Sequence, residues 1–491
     1  MTRHTMTRLA PLPLMLGLVL TFCARPSPAA SSAPPPGLPP LAGDSPLSLF
    51  PESDDLRGLY WDGFISAGRD IALSRSPSTV SGLGGRFRFS ARRDAAAFYV
   101  VLTALKASGS SAGSQPPLYS QGSWIFKRSL VDGSFLQAKV FLRSDPGTFL
   151  RLYPDGDRTR LDLLLYGGVL VREVPVPIPF ERAAVAPLSD LVAWTGELVD
   201  WSLFSPRPGL YKAVRSLVTT IRNRLPGLRY VDDGALDASG RAVNIRDGSP
   251  QLGEPGLNCS GFAKWVVDGF YRPITGSLLD PETMASRQLG SRGGSASAPY
   301  EELLDPYFGL DWTRNLGKAL YDAAYPERQH GLKEADVNSS PFALFAANPA
   351  EPVNGASQYT PYAAPDESAG YAARGLRALL YVLALRNPGD IYLASVSRSN
   401  GGELPELRRH YHVAVLVPYF DEDGTFRVAV FESDAETSLE ALVSRTPDEM
   451  IHLVRLPVLP DFDPPQLPMA PGEASAPSMP ISESPSLAGA P

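Results

Sequence analysis

The chain has 491 residues, of which 44% are hydrophobic and 20% charged, and its formal net charge is −7. That composition suits ordinary globular cores and leaves length for two or three domains. The acidic balance offers no basic footprint, which argues against a nucleic-acid partner.

The N-terminus reads as an export signal over residues 1–23. Arg3 and Arg8 supply the positive region, and Leu14 to Phe22 supplies an apolar run. The run is short of the ~20 apolar residues that a membrane span needs. Leu20-Thr21-Phe22-Cys23 is similar to a loose lipobox, in which Cys23 would be lipidated and tether the protein to a membrane. Cleavage near Ser27-Pro28-Ala29 is the other ending, and both place the mature protein in the periplasm or cell envelope. The 49 prolines cluster toward the two ends. Residues 24–47 read as a Pro-rich linker and residues 461–491 as a disordered tail rich in Pro, Ser and Ala.

Residues 48–200 carry mainly strand signals. Arg86 to Phe89 alternates, Phe98 to Leu102 is a buried run, and Trp124 to Phe126 follows a turn. Turn chemistry recurs at Asp132-Gly133, Asp145-Pro146-Gly147 and Asp155-Gly156. The spacing predicts a β-sandwich or small barrel. Trp124, Tyr153 and Tyr166 could line a ligand face there, although such aromatics are usually core.

A helical period follows, with Leu210, Val214, Leu217, Val218, Ile221 and Leu225 on one face. Pro226-Gly227 stops it, and Tyr230-Val231-Asp232-Asp233 leads into a polar loop. Then comes Leu257-Asn258-Cys259-Ser260-Gly261-Phe262, opening an apolar helix. A cysteine at a helix N-terminus meets unpaired N–H groups and a dipole that favour the nucleophilic thiolate. A lone cysteine in apolar surroundings is nevertheless often just a small buried hydrophobe. The chain has only two cysteines, so with Cys23 lipidated or removed Cys259 has no disulfide partner.

Residues 276–365 read as a long excursion with one or two helices, for example near Leu316 to Ala324. A helix over Ala372 to Leu385 is followed by strands at Ile391 to Leu393, His412 to Val417 and Phe426 to Phe431. Asp421-Glu422-Asp423-Gly424 has part of a calcium-loop look but reads as a hairpin turn. Of the five histidines, only His410 and His412 open an apolar strand, and alternation places both on one face. His330 and His452 read as surface residues, and no ligand spacing implies a metal or another cofactor. An imidazole can serve a thiol as base, and a polar partner orients it. An odd-numbered turn between the last two strands brings Glu432 opposite His412, and an even-numbered one brings Ser433 there. Glu432 is preferred, because a carboxylate orients an imidazolium better.

The order Tyr230-Val231, Asn258-Cys259-Ser260-Gly261-Phe262, Pro388-Gly389-Asp390-Ile391 and His412-Val413-Ala414-Val415 resembles the NlpC-type cysteine peptidases over residues 205–455. The resemblance implies an α+β fold, with a papain-like catalytic domain (a nucleophile helix packed on an antiparallel sheet) over 201–460. The mainly β domain precedes it. Cys259 would be the nucleophile, His412 the base and Glu432 its orienter, with His410 and Ser433 as alternative triad members. Tyr230 and Ser260 would help orient the substrate or the oxyanion. The family's substrates are peptides of the bacterial cell wall. Asn258 stands where the family has aspartate, and Ala414 stands for the common glycine. The Cys–His separation, 412 − 259 = 153 positions, requires an insertion at about 276–365. An amidase or acyltransferase on another small substrate, or an inactive binding module of the envelope, are the competing functions. Oligomeric state is not legible.

Overall fold

The computed structural model describes residues 50–105, 117–288, 298–337, 344–346, 359–364, 366–399 and 408–468. The export-type segment with Cys23, the linker and the end of the tail lie outside them. Among the described residues no helix is long and apolar enough to cross a membrane. The fold is α+β, with two large antiparallel sheets and helices against them.

Short helices α1 (Asp54–Leu59) and α2 (Arg69–Ser74) precede eight strands. These are β1 (Ser78–Gly82), β2 (Gly85–Arg93), β3 (Ala97–Leu105), β4 (Trp124–Ser129), β5 (Phe135–Phe141), β6 (Phe149–Asp155), β7 (Arg158–Leu165) and β8 (Gly168–Val176). Each pairs with the next, so the expected sandwich is replaced by one continuous meander. Turns at Gly133 (φ 74°) and Gly156 (φ 62°) adopt the left-handed backbone that glycine allows without strain. Phe87, Phe89, Trp124, Phe126, Val140 and Leu150 are buried in its core. Arg57 of α1 is fully buried, stacks 3.8 Å over Trp124 and donates to the Ala184 and Ala186 carbonyls. It thereby ties α1 to α3 (Phe180–Val185), after which α4 (Leu188–Thr195) follows. Trp124 is therefore core, while Tyr153 and Tyr166 are half-buried.

Helix α5 (Lys212–Arg224) buries Val214, Leu217, Val218 and Ile221, whereas Leu210 lies before it and is exposed. A small ribbon, β9 (Gly234–Leu236) and β10 (Ala242–Asn244), leads to α6 (Cys259–Thr275). The stretch at 276–365, expected as an excursion, contains α7 (Pro281–Met284), α8 (Ala298–Leu304) and α9 (Phe308–Ala324). Helix α9 is part of the core: it packs on α6 and on the second sheet, with Leu310, Trp312, Leu316 and Leu320 fully buried. Two short strands, β11 (Phe345–Ala346) and β12 (Thr360–Pro361), then extend the first sheet beyond β8.

The remaining elements are β13 (Tyr371–Ala372), α10 (Leu376–Arg386), β14 (Asp390–Ser399), β15 (Arg408–Phe420), β16 (Phe426–Glu432), β17 (Ala435–Thr437), α11 (Leu439–Arg445) and β18 (Met450–Pro457). They form a six-stranded antiparallel sheet in the order β13-β18-β14-β15-β16-β17. Phe431 meets Phe262 of α6, while Phe420 meets Tyr211 and Tyr381. Phe431 pairs with Val415, and Phe420 is five residues from Val415, so strand alternation puts α6 and α10 on opposite faces of this sheet.

Residues 461–468, assigned by composition to the tail, instead strap α6. Phe462 fills the notch over Gly269, where an added Cβ would lie 2.4 Å from its ring. Trp265 Nε1 donates to the Pro465 carbonyl at 2.7 Å.

Candidate active site

Helix α6 begins at Cys259 because Asn258 caps it. The Asn258 side chain accepts from the Gly261 N–H at 2.8 Å, with the extended backbone usual for a cap. Gly261 has no room for a side chain: a Cβ would lie 2.0 Å from the Gly234 carbonyl. The Asn258 N–H donates to that same carbonyl at 3.0 Å, so β9 fixes where the helix starts. Helix geometry leaves the N–H groups of Cys259 and Ser260 without intrahelical partners, beside the half-buried sulfur.

The sulfur meets β15. Burial alone would push the Cys259 thiol up, but hydrogen bonds from His412 and the Val413 N–H, the charge on His412, and the Ser260 side chain hold it below its ordinary value. His412 Nε2 lies 2.7 Å from Glu432 Oε1. Burial alone would pull the imidazole down; the contacts with Cys259 and Glu432 outweigh it and push it up to about 9. Glu432 is held below its ordinary value despite burial, by His412 and by Arg445 of α11. The Cys259–His412–Glu432 chain thus favours a thiolate–imidazolium pair.

Glu432 reaches His412 by a route the strand count only partly describes. The loop Asp421 to Thr425 is odd-numbered, and the register Phe420↔Phe426 to Val415↔Phe431 puts Glu432 on the face of His412. Glu432 is diagonal to His412 rather than opposite, because that register extended would set it against Ala414. Ser433 occupies the turn into β17 with φ 57° and makes no hydrogen bond to His412 among the described residues.

The expected shared face for His410 and His412 is broken by a β-bulge. His412 pairs with Val396 but His410 pairs with Ser397, so Tyr411 is the extra residue and the alternation flips there. His410 is buried on the opposite face, with Nδ1 3.0 Å from Ser395 Oγ and its N–H donating to the Pro306 carbonyl. His330 and His452, expected at the surface, are also buried. His452 Nε2 lies 3.1 Å from Asp336, which also holds Arg314 at 2.7 Å, and His330 Nδ1 lies 3.2 Å from Asp322. Carboxylate partners make those burials tolerable.

Tyr230 stands beside the sulfur. A parallel bridge to Leu257 places it next to the segment that bears Cys259, and the residue is 56% exposed. Its phenol is raised by partial burial and by the negative charges of Asp232 and Cys259. Ser260 is buried; it interacts with the sulfur, and its carbonyl accepts from Trp312 Nε1 at 2.9 Å, linking α6 to α9. Arg445 was not singled out by sequence reasoning; the only signal is a basic residue in the last turn of the helix after β17. The buried Lys264–Asp268 pair on α6 (2.6 Å) is a second feature missed, and Asp268 also accepts from the Leu279 N–H at 2.8 Å. Among the described residues no group of His, Cys, Asp and Glu could hold a metal ion.

A family described as a domain of unknown function (DUF8515) matches residues 46–203, the part of the chain that contains the meander and precedes Tyr230 and Cys259. No curated protein and no solved structure matches the chain.

Proposed function

We propose that the protein is an exported cysteine amidohydrolase that cleaves amide bonds in cell-wall peptides, with a papain-like core of the NlpC type over residues 205–455. The observation that carries this reading is the 2.7 Å bond from His412 to Glu432 together with the electrostatic interaction of His412 with the Cys259 sulfur at a helix N-terminus. The thiolate attacks the carbonyl carbon, and the oxyanion forms beside the Cys259 N–H, where helix-end donors stabilise developing negative charge. His412 gives its proton to the leaving amine, and a thioester to Cys259 remains. His412 then takes a proton from water, whose oxygen attacks the thioester and releases the carboxylate product. Glu432 holds the imidazolium in orientation, Arg445 holds Glu432, and Tyr230 orients the substrate beside the sulfur. The β half would position this chemistry at the wall, with lipidated Cys23 as a membrane tether.

The first test is alkylation of the folded protein with iodoacetamide across pH. Reaction is expected well below the range of an ordinary thiol, moving upward in His412→Ala. A Cys259 that stays unreactive until denaturation would sink the enzyme reading. Purified wall material incubated with protein then decides the substrate. Release of peptides, read by mass spectrometry and absent with Cys259→Ala, supports the wall assignment; a reactive thiol that releases nothing favours another small amide.

A further inference from the structure

At the far end of the same sheet from Cys259, a cavity of about 300 Å³ opens between α9, the loop after it, and the ends of β14 and β18. Asp390, on its wall, is six residues along β14 from Val396, the partner of His412, so about 20 Å separates the two places at ~3.3 Å per residue.

Asp390 makes this cavity unusual. No hydrogen bond reaches its carboxylate among the described residues, and its one ion-pair partner, Arg455 Nε, stands 3.6 Å away. That is longer than a hydrogen bond. Arg455 spends its Nε on Tyr321 Oη at 3.3 Å, and its two Nη groups make no hydrogen bond among the described residues. A carboxylate 20% exposed and a guanidinium 37% exposed thus both line the cavity with hydrogen-bonding capacity that a ligand can take up. Tyr321 and Tyr325 form an aromatic wall on one side, backed by His330 at 5.4 and 6.2 Å between ring centroids. At the rim Arg328 and Glu334 form an ion pair, and Glu327 adds one negative charge.

We propose that this cavity binds a small zwitterion of the α-amino-acid class, with the ammonium on Asp390, the carboxylate on the Nη groups of Arg455, and the side chain against Tyr321 and Tyr325. A simple anion would leave Asp390 without a partner, and a simple cation would leave Arg455 so. The size suits an amino acid or a short peptide end, at the lower limit of usual ligand cavities. The proposal does not depend on the chemistry of Cys259.

The charged and titratable groups around the cavity with Asp390 are Arg455 from β18, Tyr321 from α9, and Tyr325, Glu327, His330 and the Arg328–Glu334 pair from the loop; Tyr392 on its own strand also senses its charge. Burial pushes the Asp390 carboxyl up to about 6. An ammonium needs the ionised form, so binding should tighten as pH rises through that value. The test is calorimetric titration of the whole protein with glycine, L-alanine, D-alanine and L-tyrosine, with acetate and ethylamine as half-ligands. Saturable binding of at least one amino acid is expected, with acetate and ethylamine each at least tenfold weaker. Asp390→Asn should weaken it at least tenfold and flatten its rise with pH. Tyr325→Ala, at a residue 38% exposed, should weaken L-tyrosine several-fold and glycine little. Acetate binding as tightly as glycine would overturn the zwitterion assignment in favour of an anion site. Failure of all four amino acids to bind, or equal binding by the Asp390→Asn variant, would overturn it too.

Discussion

His412 carries two opposed demands, because burial discharges an imidazole while Cys259 and Glu432 charge it, and the second wins. The sign of its effect on stability follows. A folded value raised from 6.5 to about 9 contributes stability that is whole below 6.5 and is lost as pH rises through about 9. The lowered thiol works the other way, contributing above its ordinary value and losing that as pH falls through its folded value. The stability gap between wild type and His412→Ala, read from urea midpoints, should therefore be larger at neutral pH than above pH 9. A gap that widened there would contradict the pairing. In hydrolysis His412→Ala should cost roughly a hundredfold or more, as loss of a general base does. Arg445 competes with His412 for the charge of Glu432. Arg445→Ala should free that charge and raise the imidazole further, by a fraction of a pH unit in an NMR titration. Its side chain is 58% exposed, so the difference should shrink in high salt.

At the scale of elements, α6 is aimed by its cap and its first turn. Asn258→Ala should cost about 1 kcal/mol, the usual worth of a cap, and should lower thiol reactivity more than a remote surface change does. Asn258→Asp keeps the cap but sets a negative charge beside the sulfur, so the thiol should titrate higher in the alkylation profile. Gly261→Ala drives a methyl into the Gly234 carbonyl and should cost on the order of 2–3 kcal/mol, seen as a lower thermal midpoint. The residues at this junction were legible: a capping residue, a small cluster and an apolar helix stand in order. The bulge at Tyr411 was not, because one extra residue leaves no mark on hydrophobic alternation, and it alone decides that the two histidines face opposite ways. Helix α9 was legible only at its C-terminal half, since its N-terminal half carries the polar Asp311, Thr313, Arg314 and Asn315, all of them buried. Their burial depends on partners such as Asp336 and the Met284 carbonyl, which local sequence does not reveal.

Over the whole molecule, the meander and the sheet that bears His412 are joined by more than a linker. Arg143, after β5, donates to Tyr381 Oη at 2.5 Å and to the Gly424 carbonyl at 2.8 Å. Tyr166 lies 5.5 Å from Tyr381, and β11 hydrogen-bonds β8 after the chain has passed through α9. The two halves should therefore unfold in one transition, with circular dichroism and Cys259 exposure tracking together. Arg143→Ala should lower the shared midpoint, because it leaves a carbonyl and a phenol short of a partner. Separate transitions in the wild type would show that these contacts are too weak to couple the halves.

The strap over α6 bears on how the protein is made. Trp265 finds its partner at Pro465, 200 positions later in the chain, and Phe462 seats on Gly269 from 462 − 269 = 193 positions away. Synthesis runs from the N-terminus, so the helix bearing Cys259 leaves the ribosome long before its covering exists. Until residues 462–465 follow, the indole N–H of Trp265 and the notch at Gly269 lack their final contacts. The helix that bears Cys259 is thus clamped only once residues 462–465 have been made, and a chain cut short before Phe462 keeps Cys259, His412 and Glu432 but not the clamp on that helix.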